Sequence, residues 1–520
     1  MRLRALQHAL ALGGLGVAVS VAGGCNSGFC DIVECTDGGG GGGAGGAGPG
    51  TGGMTTTDVG GGGVGGGLPT SCEPKEGVEV ADTCGVFVHF GETGNGKKTS
   101  PFGTIIEAAA GIGDKRAIYV CGNEAFGGSV ALPGGVSLIG GLDCEAWTYS
   151  AASSRPSILG AANAPALTIS GAGQGIIVSI DIEGSTATTP GESSIGLLIA
   201  QATVDIDQSD ITARNGANGA APPMQLDPPN QAQGGMPGKD AGQPLVSAGG
   251  GANSCGAVSL SGGVGGKGGD SMDANKNGGS GTQGDVDMGG ALGIGQTGAT
   301  LNCVAGQGLG GGGVGGNPGD PGAGASSLGT LTATGLGPAN GEAGMPGDHG
   351  TSGGGGGGSK ATTVNGAGGG GGGAGGCGGA GGPAGKGGGS SLALVSFNAT
   401  VTMTTSVVLH VGHGATGGDG GKGQFGQSGG GAGPGGMAGS GVLAACSGGG
   451  GGGGGNGGNA GGGRGGHAIA VAYKGTAPTG GTPDMSGAVA GTHGAGGNNT
   501  VPPTGGNGTD GVLAPSQAFP

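Results

Sequence analysis

The chain has 520 residues, of which 156 are Gly; aromatics make up 2%, charged residues 9%, and the formal net charge is −15. An ordinary globular domain carries about 7% Gly and about 25% charged residues, so this chain cannot bury one conventional core along its whole length and must be partly repetitive, extended or disordered. Nucleic-acid binding is set aside, because it needs Lys and Arg to displace phosphate counterions and no basic stripe exists.

Residues 1–24 read as an export signal: Arg2 and Arg4 precede the apolar stretch ALALGGLGVAVSVA, which with its glycines is short for a membrane span of ~20 apolar residues. Ala22-Gly23-Gly24-Cys25 resembles the bacterial lipobox, with Ala22 where that family usually has Leu. The resemblance implies a lipid on Cys25 and an anchor in the bacterial cell envelope, expected at the outer membrane. Setting Cys25 aside leaves Cys30, Cys35, Cys72, Cys84, Cys121, Cys144, Cys255, Cys303, Cys377 and Cys446, an even set that suits disulfides in an exported chain. Residues 25–71 form a glycine-rich tether; as a coil, its 36–70 stretch spans roughly 30–35 Å.

The character changes in residues 72–215. Short β-branched runs recur between Gly and Asn turns: GVFVHF (85–90), AIYVCG (117–122), GVSLIGG (135–141), PALTIS (165–170) and GIIVSIDIEG (175–184). One helix is expected over Phe102–Ala110, where Phe102, Ile105, Ile106 and Ala109 share a face. Ser193–Ile211 then aligns without a gap to Ser390–Val408, so Ser193, Ser194, Ala202, Thr203, Val204 and Ser209 recur as Ser390, Ser391, Ala399, Thr400, Val401 and Ser406. A unit of this kind cannot bury its apolar edge alone and must stack on neighbours. The shared pattern L-x-I-x-x-A-x-V-x-I-x-x-S-x-I resembles one coil of the right-handed parallel β-helix of pectin-lyase-like proteins, and the opening from Gly85 to Gly141 resembles the first turns and capping helix of that superfamily. The resemblance implies an all-β chain with 72–215 as the first part of the β-helix, 390–413 as a later coil, and 466–520 as the last coil and tail. Cys121 and Cys144 lie 23 residues apart at strand ends, about one coil, and should pair. The remaining connectivity is open from sequence; Cys255–Cys303 and Cys377–Cys446 are the sequential pairings.

Between these coils lie 216–389 and 414–465, whose composition resembles the repeats of PE-PGRS-type surface proteins. They are not collagen-like, since a strict triplet holds only across Gly341–Gly353. Solvated coil and packed polyproline-II-like strands compete, and the entropy lost on ordering glycine favours coil. As partly disordered loops between stacked coils, residues 216–389 should be dispensable for folding, because closure entropy grows slowly with loop length.

Candidate chemistry is sparse. Gly91–Lys98, GETGNGKK, follows a strand and precedes a helix as a phosphate-binding loop would, but Lys98 stands where the Mg²⁺-ligating Ser or Thr belongs. Gly265–Asp273 and Gly505–Leu513 fit the calcium β-roll pattern, each as a lone copy with no second turn to complete a site. The outward carboxylates Asp181, Glu183, Asp205 and Asp207 form the candidate acidic cluster. The spacing of 24 from Asp181 to Asp205 would stack the pairs, whereas the repeat motif gives an offset nearer 29 and would part them. His410 and His413 have no carboxylate or Cys at ligand spacing, and one Trp and three Tyr argue against a stacking sugar platform. No catalytic residue, metal site or cofactor is expected, with calcium the one ion considered. The expected function is structural or adhesive: a lipid-tethered protein displaying glycine-rich segments. The rivals are a polysaccharide lyase or hydrolase acting through the four carboxylates, and a calcium or cell-surface polysaccharide binder.

Overall fold

The computed structural model describes residues 67–223, 231–285, 289–498 and 503–520. The export signal, Cys25, Cys30, Cys35 and most of the tether lie outside the described residues.

The chain winds through repeated coils of three short strands. An entry strand β1 (Val86–Val88) and a helix α1 (Ile105–Gly111) precede the first full coil of β2 (Ala117–Cys121), β3 (Ala125–Gly127) and β4 (Val130–Pro133). The second coil is β5 (Ser137–Leu142), β6 (Ser157–Leu159) and β7 (Leu167–Ser170), and the third is β8 (Gln174–Val178), β9 (Asp181–Glu183) and β10 (Ser194–Ala200). The fourth begins with β11 (Thr203–Asp207) and β12 (Asp210–Thr212). The chain then leaves through two hairpins, β13 (Ala252–Cys255) with β14 (Val258–Ser261), and β15 (Thr330–Thr332) with β16 (Gly335–Gly337). It returns as β17 (Ser391–Phe397), continues through β18 (Thr400–Met403), β19 (Val408–His410) and β20 (Ala468–Lys474), and ends on β21 (Thr482–Asp484) and β22 (Leu513–Ala518).

Equivalent strands pair in parallel into three six-stranded sheets: β1-β2-β5-β8-β11-β18, β4-β7-β10-β17-β20-β22 and β3-β6-β9-β12-β19-β21. The all-β class follows, and the architecture is compatible with a β-helix. Each sheet puts one apolar column inside. In the first the column is Val86, Ile118, Leu138, Ile177, Ile206 and Met403; in the third it is Phe126, Ile158, Ile182, Ile211 and Leu409. Side chains at successive positions face opposite sides of a strand, so the period-two runs of the sequence become these columns. The two halves of the sequence repeat are adjacent rungs: Leu197 pairs with Leu394 and Val204 with Val401. After its long excursion the chain thus resumes on the next rung.

The helix caps the start of the stack. Thr104 accepts a hydrogen bond from the Glu107 amide while the Glu107 carboxylate accepts one from the Thr104 amide, and Ile105 and Ala108 are buried. At the other end the outermost strands of two sheets carry proline, Pro483 in β21 and Pro515 in β22, each removing an amide donor from an edge open to strand addition.

The second sheet is apolar on both faces, which is why β10 and β17 read as continuous hydrophobic runs. Its outer face is covered by the β15–β16 hairpin, whose Leu331 and Leu336 share an apolar cluster with Ile195, Leu198, Leu392, Val395, Ile469 and Phe519.

The glycine-rich segments differ from the coil that glycine entropy favours: their described residues form a hydrogen-bonded array. The amides of Gly341, Gly344, Gly347, Gly350 and Gly353 donate to the carbonyls of Gly385, Gly382, Gly379, Gly376 and Gly373, at 2.8–2.9 Å. Gly452, Gly455, Gly458 and Gly461 in turn donate to Thr351, Asp348, Met345 and Glu342. Bonds at every third residue mark extended strands of the polyproline-II kind, which have no internal hydrogen bonds and must find partners in neighbouring strands. Only glycine allows the approach. A Cβ on Gly454 would lie 2.0 Å from the Cys377 carbonyl oxygen, and one on Gly457 2.0 Å from that of Ala380. The hydrogen bonds made at this spacing offset the ordering entropy. The insertion is therefore structure in its own right, and the expectation that 216–389 is a dispensable loop does not follow from it.

Cys121 and Cys144 form a disulfide with Cα atoms 5.0 Å apart, as their spacing predicts. The sequential pairings of the later cysteines are corrected: Cys255 joins Cys377 and Cys303 joins Cys446. Sequence order misleads here because the array places strands more than a hundred residues apart side by side. Cys72–Cys84 is the fourth bond among the described residues. Non-reducing peptide mapping should recover these four crosslinks, and a Cys255–Cys303 peptide would contradict the strand order of the array.

Candidate functional site

The expected acidic cluster is divided between two sheets. Val204 pairs with Gly175 and Ile211 with Ile182, an offset of 29, so the repeat motif sets the register and the spacing of 24 does not. Asp205 and Asp207 lie on the first sheet, where Asp205 faces Thr402 and Ile176 in the ladder. The Asp207 Oδ1 accepts hydrogen bonds from Thr404 Oγ1 at 2.6 Å and Ser406 Oγ at 2.8 Å. Asp181 and Glu183 lie on the third sheet, each beside a cation. Arg155 donates to Asp181 at 3.1 Å and to Asp210 on the next rung at 2.8 Å, and also holds the Gln208 carbonyl. Arg214 pairs with Glu183.

Burial pushes the Asp181 carboxyl up from its ordinary range, opposed by the Arg155 guanidinium and by the Asp210 amide, which donates to it at 3.2 Å. Arg155→Ala would leave two half-buried carboxylates on adjacent rungs without their shared cation, and should cost about 2 kcal/mol of stability at neutral pH. Because protonation relieves that repulsion, the deficit should shrink as the pH falls toward about 4. Chemical denaturation of both proteins across this range is the measurement.

The outward face of the third sheet carries the densest polar chemistry. In the ladder Leu159, Glu183, Thr212, His410 and Asp484 occupy one row on successive rungs, about 4.8 Å apart. His410 Nδ1 lies 3.0 Å from Asp484 Oδ2. Hydrogen bonds from Ser486, and then from His410, hold the Asp484 carboxyl below its usual range. A hollow of about 320 Å³ beside the pair is lined by Thr186, Thr212, Arg214, Asn215, His410 and Asp484. An aspartate that orients an imidazole, with an arginine nearby, can accept a proton or hold hydroxyl-bearing ligands. Sequence reasoning left His410 without a partner because Asp484 lies 74 residues on, beyond the second glycine-rich segment. Only the coil register brings them together. Arg155 was missed for the same reason.

The remaining motifs have structural duties. In Gly91–Lys98 the amides of Asn95 and Gly96 donate to the Ser100 carbonyl, so they do not face a phosphate, and Lys98 pairs with Glu79 at 2.6 Å. In the two nonapeptides, Asp270 and Asp273 accept from the nearby amides of Met272 and Asn275, and Asp510 bonds His493. His89, Cys121 and Cys144 lie together, but the two sulfurs are bonded to each other. The disulfides fit an exported, oxidising location, and among the described residues no helix is long and apolar enough to cross a membrane. Compared with protein-family models, curated proteins and solved structures, the chain has no match.

Proposed function

We propose that this chain is a non-catalytic lipoprotein of the bacterial cell envelope, structural or adhesive, which displays a rigid glycine-rich layer on a right-handed parallel β-helix similar to that of pectin-lyase-like proteins. The observation that carries this reading is the ordered array. Its strands are paired through the backbone and fastened by Cys255–Cys377 and Cys303–Cys446, which suits a protein that must persist outside the cell. A lipid on Cys25 would hold the scaffold at the outer membrane, with the tether as spacer. Cys25→Ser should then move the protein from the membrane fraction to the soluble one, and unchanged fractionation would remove the anchor.

A second reading has one observation in its favour. Arg155, Arg214 and His410 supply basic groups among the third-sheet carboxylates, which a polysaccharide lyase, hydrolase or binder would need. Incubation with pectate, alginate and similar acidic polysaccharides, with and without Ca²⁺, should release no product. Turnover that disappears in His410→Ala and Asp484→Ala would replace the structural reading with an enzymatic one.

A further inference from the structure

His467 is only 2% exposed and stands at the start of β20, where three distant segments meet. Its amide donates to Ser390 Oγ at 2.9 Å, beside the start of β17. Its Nδ1 lies 2.9 Å from the Val512 amide, one residue before β22. Its Nε2 lies 2.8 Å from the Leu328 carbonyl, two residues before the β15–β16 hairpin. An amide can only donate and a carbonyl can only accept, so the partners dictate the tautomer: Nδ1 carries the lone pair and Nε2 the proton. The ring is therefore held neutral. An imidazolium would set an N–H at Nδ1 against the Val512 N–H.

We propose that His467 is an acid-sensitive latch, whose protonation releases the last strand and, through Phe519, loosens the hairpin that covers the second sheet. The Val512 bond is the one that must break. Leu328 stays compatible with the charged ring. Release would loosen Phe519, which packs edge-on to the His467 ring at 6.0 Å, and the Leu331–Leu336 cover over Ile195, Leu198, Leu392, Val395 and Ile469. The charged groups nearby are Arg464, which donates to the Ser326 and Ser327 carbonyls, and Asp510, which bonds His493. Burial first, and then Arg464, depress the proton affinity of His467, against the Leu328 carbonyl. A histidine with a depressed folded value binds its proton more readily when released. The stability it contributes is therefore complete above its ordinary value of 6.5, falls as the pH drops through it, and levels off below the folded value.

Hydrogen exchange of the full chain, corrected for intrinsic pH dependence, tests the latch. Protection at Val512 and in the 328–337 hairpin should fall about tenfold or more between about pH 7 and about pH 5. His467→Asn, whose Oδ1 can accept from Val512 without titrating, should abolish that fall, whereas His493→Asn should preserve it. Protection independent of pH in the wild type, or an unchanged fall in His467→Asn, would overturn the proposal. Should His467→Asn fail to fold, the imidazole carbon signals of the wild type decide. Titration below the ordinary range together with movement of the Val512 amide supports the latch, and titration without that movement overturns it.

Discussion

Gly451→Ala should destabilise the glycine-rich layer by about 3 kcal/mol or more, while Gly450→Ala and Gly453→Ala, within the same unbroken glycine run, should lie within about 0.5 kcal/mol of the wild type. A Cβ on Gly451 would lie 1.9 Å from the Ala374 carbonyl oxygen and 2.5 Å from its carbon. That neighbour is backbone and cannot rotate away. A Cβ on Gly450 would meet nothing nearer than 3.6 Å, the Gly430 carbonyl oxygen, and one on Gly453 nothing nearer than 3.6 Å, that of Gln427. These two positions point into ordinary contact distance, and alanine there also narrows the unfolded ensemble, by about 0.4–1 kcal/mol where the backbone geometry suits it. Denaturant unfolding of the three variants, with exchange of the Gly451 amide that donates to the Gly430 carbonyl at 2.8 Å, reads the difference. Equal behaviour of the three would mean that the segment is coil in solution and that the three-residue rhythm has no structural meaning.

Deleting residues 216–388 and joining Asn215 to Gly389 should yield a protein that binds hydrophobic dyes, aggregates and melts without cooperativity. The deletion removes Leu331 and Leu336 from the outer face of the second sheet, uncovering Leu198, Leu392, Val395 and Ile469. It also strips Gly452, Gly455 and Gly458 of their acceptors Thr351, Asp348 and Met345, and leaves Cys446 without Cys303. The coil register itself survives on paper, since β10 already pairs with β17. The loss therefore comes from uncovered surface, not from loop closure, whose entropy would favour a shorter connection. Leu331→Ala is the milder form of the same experiment and should cost about 3 kcal/mol, because Leu331 is 2% exposed. A soluble, cooperatively melting deletion protein would return the insertion to the status of an appendage.

Local pattern and repetition determined the strand runs, the capping helix, the stacked repeat and the Cys121–Cys144 bond. Each depends on near neighbours or on one coil length: alternation in Ile180-Asp181-Ile182-Glu183 fixes which side chains face in, and the Thr104–Glu107 pair caps a helix within four residues. The sequence also contained the correct register, since the gapless match of Ser193–Ile211 to Ser390–Val408 is the ladder of β10 and β11 on β17 and β18. The rival spacing of 24 could be rejected only when the strands were seen paired. Tertiary structure alone decided the partners of distant residues. Asp484 beside His410, Arg155 between Asp181 and Asp210, Val512 and Leu328 around His467, and Cys255 with Cys377 all join segments that composition cannot relate. The order of the glycine segments belongs with these. An isolated glycine strand has no side chain to pack and no internal hydrogen bond, so its sequence reads as coil. Its stability arises when several such strands lie close enough for every third amide to reach a neighbour's carbonyl.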